Sequence, residues 1–220
     1  MRTTLDNGTP IEVARPGGSR AASRGLVVIP DIGGLRPLFD DLVARLADEN
    51  GWAVVAVEPF PGREQMTLEE RMAAMPTLDD SLQLADIVVA GDVLGIEPVG
   101  VIGFCMGGMY TMKAASTGRF DRAAAFYGMI RVPEAWHGSG QHDALDLLQS
   151  APETTQRVLA VIGTADPYTP ANEVDELEAA GATVVRYQDA EHGFVHDASR
   201  PAHRADDAAD AWRRVIDWLT

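Results

Sequence analysis

Compact apolar runs alternate along this chain with longer stretches whose apolar residues fall on one helical face. The runs are Gly25–Ile29, 52–57, a segment opening at Val99, 123–127 and 158–162, and a further strand is expected at Thr183–Tyr187. Such compact runs are the pattern of strands buried on both faces. Between the first two, Pro37–Asn50 carries Leu38, Leu42, Val43 and Leu46 on one side, with Gly51 just past its end. Thr77 or Asp79 is placed to cap a helix bearing Leu82, Leu84, Ala85, Ile87, Val88 and Val89. Further helices are expected at 109–115, 171–180 and 202–219. Strands alternating with helices predict an α/β fold, a mostly parallel sheet covered on both sides.

Other stretches are less regular. Asp6-Asn7-Gly8 is a turn signal, and Ile11-Glu12-Val13 alternates like a strand, so residues 1–14 read as a short edge element. A surface turn is expected at 15–24 and another at 118–121. Residues 63–76 are mixed and Met-rich, a short helix or a cover over a cleft. Residues 128–155 read as irregular. There is no internal repeat, linker or low-complexity tract, so a single domain over 1–220 is expected.

Charge and cysteine content narrow the function. A net charge of −15 disfavours nucleic acid and anionic membranes as partners. An anionic substrate would need a local cationic pocket against that field. No apolar run approaches the ~18 residues of a membrane span, and Met1-Arg2-Thr3 does not open a leader. With Cys105 the single cysteine, no internal disulfide is available, which fits a reducing compartment and a cytoplasmic location.

That cysteine sits in Gly103-Phe104-Cys105-Met106-Gly107-Gly108, between an apolar strand and a helix-like segment. This is the layout of a nucleophile elbow, in which the reactive side chain rides on a strained strand-to-helix turn. Gly103 and Gly107 suit the close backbone approaches of such a turn. A helix N-terminus beside the thiol favours its thiolate. On this motif alone, a small buried core cysteine is the competing reading. Two further strand ends carry partners. Asp166 follows the run at 158–162, in Gly163-Thr164-Ala165-Asp166-Pro167, and His192 follows Thr183–Tyr187, in His192-Gly193-Phe194. Singly, either reads as a turn or surface residue. Their order after Cys105 is that of triads on α/β-hydrolase sheets, where functional groups gather at the carboxyl ends of strands. His192 would take the thiol proton and return it to the leaving group, with Asp166 holding its tautomer. Pro30-Asp31-Ile32-Gly33-Gly34 follows the first buried run, so the N–H groups of Ile32 and Met106 are the candidates for an oxyanion hole.

Through these three motifs, and through Val195-His196-Asp197 to Arg200-Pro201, the chain resembles the dienelactone hydrolase family of α/β-hydrolases, from about residue 25 to 219. The cysteine elbow is the specific part. The resemblance implies an α/β-hydrolase fold and hydrolysis of an enol-lactone, typically a dienelactone giving maleylacetate during aromatic breakdown. It also implies a cytoplasmic enzyme without metal or cofactor, a monomer or weak homo-oligomer, whose partner is a small ester or lactone. Family members often carry Glu where Asp31 stands, as a gate on the thiol. They bind the substrate carboxylate with arginines; one position is occupied here by His196, and Arg71 is the candidate for the other. Tyr127 falls where the family places an aromatic near the cleft, or is a core tyrosine.

Other readings compete. The same triad serves a carboxylesterase or thioesterase of different specificity. A thiol sensor would use Cys105 for oxidation chemistry, but leaves Asp166 and His192 without a role and has no second cysteine. A metal site of His192, His196 and Asp197, with His137 or His142, is weakened by Gly193 and the expected loop.

Overall fold

The computed structural model describes residues 1–18 and 21–220; residues 19 and 20 of the expected turn at 15–24 lie outside the described residues. Eight strands form one sheet: β1 (Arg2–Thr4), β2 (Pro10–Ala14), β3 (Gly25–Ile29), β4 (Ala53–Val57), β5 (Val99–Phe104), β6 (Ala123–Phe126), β7 (Val158–Gly163) and β8 (Thr183–Tyr187). Their order is β1-β2-β4-β3-β5-β6-β7-β8. Strands β3 to β8 are parallel, and β1 and β2 join antiparallel at the β4 edge. This is the α/β-hydrolase arrangement expected from the sequence.

The unbroken apolar runs are unbroken because both faces of the sheet are covered. In β3, Leu26 and Val28 face one core while Val27 and Ile29 face the other. The first core is closed by α1 (Pro37–Asn50) and α8 (Ala205–Leu219), through Phe39, Val43, Leu46, Ala211 and Val215. The second is closed by α3 (Asp80–Val93), α4 (Met106–Ala115) and α7 (Ala171–Ala179), through Ile87, Ala90, Met109, Met112 and Leu177. Edge strand β1 is polar and exposed, which discourages strand addition. No helix among the described residues is long and apolar enough to cross a membrane.

The elements depart from the sequence expectation at three places. Helix α4 begins at Met106, immediately after Cys105, because Gly107 and Gly108 are helical and pack backbone against backbone. The span 128–155 is not wholly irregular: it holds α5 (Ala144–Gln149) and α6 (Pro152–Thr155), both too short to show a helical period. Helix α8 begins at Ala205, after an extended Arg204. Of the two cap candidates for α3 it is Asp79 that acts, accepting the Ser81 N–H at 2.8 Å, while Thr77 closes a 3-10 turn. Residues Leu68–Ala74 form the short helix α2, started by a Thr67–Glu70 capping box.

One buried ion pair ties α3, α4 and the 128–155 segment together. Lys113 Nζ, on α4, donates to both oxygens of Asp80 at 2.9 and 3.0 Å, and Asp80 also accepts the His142 N–H at 2.8 Å. The lysine side chain is 0% exposed. Burial pulls its pKa below the usual lysine range, and Asp80 opposes that shift. Replacing Asp80 by Ala strands the ammonium in the core. The expected loss is about 3–5 kcal/mol, read from the urea unfolding midpoint and slope.

Candidate active site

The site is built where the strand order reverses. The chain passes from β3 outward to β4, then returns to place β5 on the other side of β3. A crevice opens at the carboxyl ends of strands beside such a switch point. Cys105 stands there with φ 58° and ψ −120°, a left-handed conformation that a side chain rarely adopts and that costs about 1–3 kcal/mol. Its surroundings enforce it. The Cys105 N–H donates to the Phe126 carbonyl at 3.0 Å, and its own carbonyl accepts from Met109 N–H at 3.0 Å as the first bond of α4. A Cβ at Gly107 would collide with the Ile29 and Pro30 carbonyls, and one at Gly103 with the Gly107 carbonyl. Neither position admits any other residue without moving the elbow. The thiol itself is half-buried.

The loops after β7 and β8 bring the other two candidates together. His192 Nδ1 lies 2.8 Å from Asp166 Oδ2, and the buried Asp166 accepts the Tyr168 N–H at 2.8 Å with its other oxygen. A carboxylate only accepts, so Nδ1 carries a proton. Nε2 is buried without a hydrogen-bond partner of ordinary geometry. Burial disfavours the imidazolium, but the Asp166 bond and a Cys105 thiolate favour it more, so the pKa of His192 rises from 6.5 to about 9. Neither the Ile32 nor the Met106 N–H donates a backbone hydrogen bond among the described residues, so both remain available to an oxyanion.

Asp31 is fully engaged. Arg36 donates to both its oxygens at 2.6 and 2.9 Å, Gly33 N–H to Oδ1 at 2.9 Å, and His196 Nε2 lies 2.8 Å from Oδ2. These partners hold its carboxyl well below the usual range despite burial. His196 Nδ1 meets the Tyr127 hydroxyl. Tyr127 is buried, has φ 40°, and sets its ring against that of His192 with centroids 5.2 Å apart. It therefore lies beneath the site rather than on its open wall.

Above Cys105 and His192 opens a cleft of about 540 Å³. One wall is apolar: Leu68 and Met72 from α2, Met129, Trp136 and Tyr168. Trp136 stacks on Tyr168, whose ring meets His192 edge-on with centroids 5.0 Å apart. Arg36, Asp197 and Arg200 form the charged rim. Comparison with known proteins agrees with this architecture: residues 12–220 match the model of the dienelactone hydrolase family.

The chain belongs to the dienelactone hydrolase family.

It is thereby a carboxylic ester hydrolase. It is 30% identical over 211 residues to a carboxymethylenebutenolidase of Rhodococcus opacus, covering 88% of this chain and 79% of that protein. It is 27% identical over 191 residues to carboxymethylenebutenolidase 2 of Cupriavidus pinatubonensis, covering 82% and 78%. A crystal structure of a Klebsiella pneumoniae protein shares the fold with a TM-score of 0.81 at 23% identity, covering 96% of this chain and 92% of that one.

Two expectations drawn from the family resemblance need correction. Arg71 does not reach the cleft as a substrate-binding cation. It is buried behind the Gly33–Gly34 turn, donating to Glu58 Oε1 at 2.9 Å, to the Glu64 carbonyl at 2.9 Å and to the Ile32 carbonyl at 3.4 Å. Glu58, from the end of β4, neutralises it and also accepts the Leu35 and Phe60 N–H groups. His196 is likewise enclosed, both ring nitrogens being taken by Asp31 and Tyr127, which also removes it from any metal site. No group of three or more His, Cys, Asp or Glu among the described residues could hold a metal ion. The sequence reading missed Arg36, Arg200, Trp136 and Tyr168 as site residues. Only the Met-rich stretch at 63–76, expected as a short helix or cleft cover, signalled the wall that α2 supplies.

The raised His192 pKa has a direct test. A charged imidazole favours the fold fully below pH 6.5, and that contribution disappears as pH rises to about 9. Imidazole NMR of the wild type should show His192 titrating near 9. In Asp166→Asn the midpoint should fall, because burial then acts with less opposition.

Proposed function

We propose that the enzyme hydrolyses an activated ester or enol-lactone through a Cys105 acyl-enzyme. The observation that carries this reading is the 2.8 Å bond from His192 Nδ1 to Asp166, which leaves buried Nε2 for the thiol on the strained elbow. His192 takes the proton of Cys105, and the thiolate attacks the carbonyl carbon. The N–H groups of Ile32 and Met106 receive the oxyanion, each donor contributing about 100-fold or more. Collapse expels the alcohol or enol, protonated by His192, and leaves a thioester. Water, deprotonated by His192, then releases the acid and restores the thiol.

Leaving-group chemistry supports the choice of substrate. From a tetrahedral adduct a thiolate departs before an unprotonated amine, so amides return to starting material. An enolate is resonance-stabilised and competes with the sulfur. A cysteine elbow therefore suits enol-lactones, activated esters and thioesters better than peptides.

The cleft supports a second reading, an esterase for uncharged aryl esters. Arg36 and Arg71 are neutralised by Asp31 and Glu58, and the facing wall is apolar and aromatic. Arg200 lines the cleft and enters no ion pair among the described residues, which leaves it to receive an anionic substrate group.

One experiment tests the mechanism both readings share, and a second separates them. Iodoacetamide should label Cys105 stoichiometrically, at a rate that His192→Ala lowers, and Cys105→Ala should lose at least about 1000-fold in turnover while remaining folded. A labelling rate unaffected by His192→Ala overturns the mechanism. For specificity, Arg200→Gln should raise KM about 10-fold for a carboxylate-bearing enol-lactone at unchanged kcat, and leave an uncharged aryl ester unaffected. A higher kcat/KM for the aryl ester in the wild type favours the esterase.

A further inference from the structure

The residue placed to gate the thiol has no oxygen free for that task. Asp31 is buried and accepts four hydrogen bonds: two from Arg36, one from Gly33 N–H and one from His196 Nε2. None involves Cys105. Its bonds instead close around the neighbouring peptide. The Asp31 side chain takes the Gly33 N–H at 2.9 Å, and the Asp31 carbonyl takes the Gly34 N–H at 2.9 Å. From behind, Arg71 Nη1 donates to the Ile32 carbonyl. A Cβ at Gly33 would press on both Arg36 Nη1 (2.7 Å) and Asp31 Oδ1 (3.0 Å), and one at Gly34 would collide with the Arg71–Glu58 pair. The turn that carries the Ile32 N–H is thus pinned on every side.

The same carboxylate reaches the other catalytic loops. Because a carboxylate only accepts, His196 Nε2 carries a proton, and Nδ1 shares a hydrogen bond with the Tyr127 hydroxyl. Tyr127 follows β6 directly and backs the His192 ring. One carboxylate therefore connects the loop after β3, the end of β6 and the segment after His192.

We infer that Asp31 is a positioning residue, whose carboxylate fixes the direction of the Ile32 N–H toward the developing oxyanion rather than acting on the sulfur. This rests on the acyl-enzyme mechanism proposed above. Asparagine at position 31 nearly preserves shape but presents an NH2 where Arg36 or His196 donates, so the cluster loses part of its grip on the turn.

Two reactions of the same sulfur separate this role from its rivals. Ester hydrolysis builds an oxyanion. Alkylation by iodoacetamide is a displacement at saturated carbon: the S–C bond forms, iodide leaves with its electron pair, and no oxyanion develops. In Asp31→Asn, kcat for an aryl ester should fall about 100-fold with KM nearly unchanged. The rate and pH midpoint of Cys105 alkylation should match the wild type. A parallel loss in alkylation, or a shifted midpoint, overturns the inference by placing Asp31 on the thiol or imidazole. Unchanged hydrolysis overturns it as well. Should Asp31→Asn fail to fold by circular dichroism, Arg36→Lys, at a partly exposed position, should give a smaller loss of kcat with alkylation intact, and equal losses in both reactions count against the inference. Failure of the underlying mechanism looks different: Cys105→Ala would still hydrolyse the ester, whatever Asp31 does.

Discussion

The structure depends on the contact between the first turn of α4 and the carboxyl ends of β3, β5 and β6. Glycines at 103, 107 and 108 let that helix start with its backbone against neighbouring strands. Only then can Cys105 be forced to φ 58° and its side chain be turned toward the cleft. The elbow is stable because it is over-determined by both packing and hydrogen bonds, and its strain is small beside the apolar burial of the two cores. Everything else at the site is a group brought to that sulfur by another strand end.

Electrostatics at the site follow from pairing. The chain is strongly acidic, yet two arginines, Arg36 and Arg200, line its cleft. Arg36 and Arg71 are spent on Asp31 and Glu58, and they stiffen the Gly33–Gly34 turn instead of offering charge to a ligand. Arg200 is left at the rim. The same cleft is lined by the apolar and aromatic side chains of Leu68, Met72, Met129, Trp136 and Tyr168. The cleft thus combines apolar side chains with a cation that enters no ion pair among the described residues, while the paired charges maintain geometry.

How much of this was legible in the sequence follows from range. Strands buried on both faces announce themselves as apolar runs, so β3 to β7 and the parallel sheet could be read to within a residue at the ends compared, while β8 is a part-exposed edge strand. The elbow at Cys105 and the Asp166–His192 bond were legible because each residue follows a strand in a recognisable local setting and their order matches the fold. Arg71 was misread because its partner, Glu58, comes from a different loop, and no local pattern reveals that a guanidinium is already neutralised. His196 was misread for the same reason, its partners lying at positions 31 and 127. Short helices such as Ala144–Gln149 escaped because less than two turns shows no period. The cleft wall escaped because it is assembled from four separate segments.

The bond between Asp31 and His196 joins positions 165 residues apart. Contacts of such range form only after much of the intervening chain has been ordered, since loop closure must be compensated by structure already in place. During synthesis the elbow strand emerges long before the segment bearing the histidines. A growing chain therefore carries Cys105 before the Asp166–His192 bond exists, and the site is completed late, with the docking of β8 and the loop beyond it.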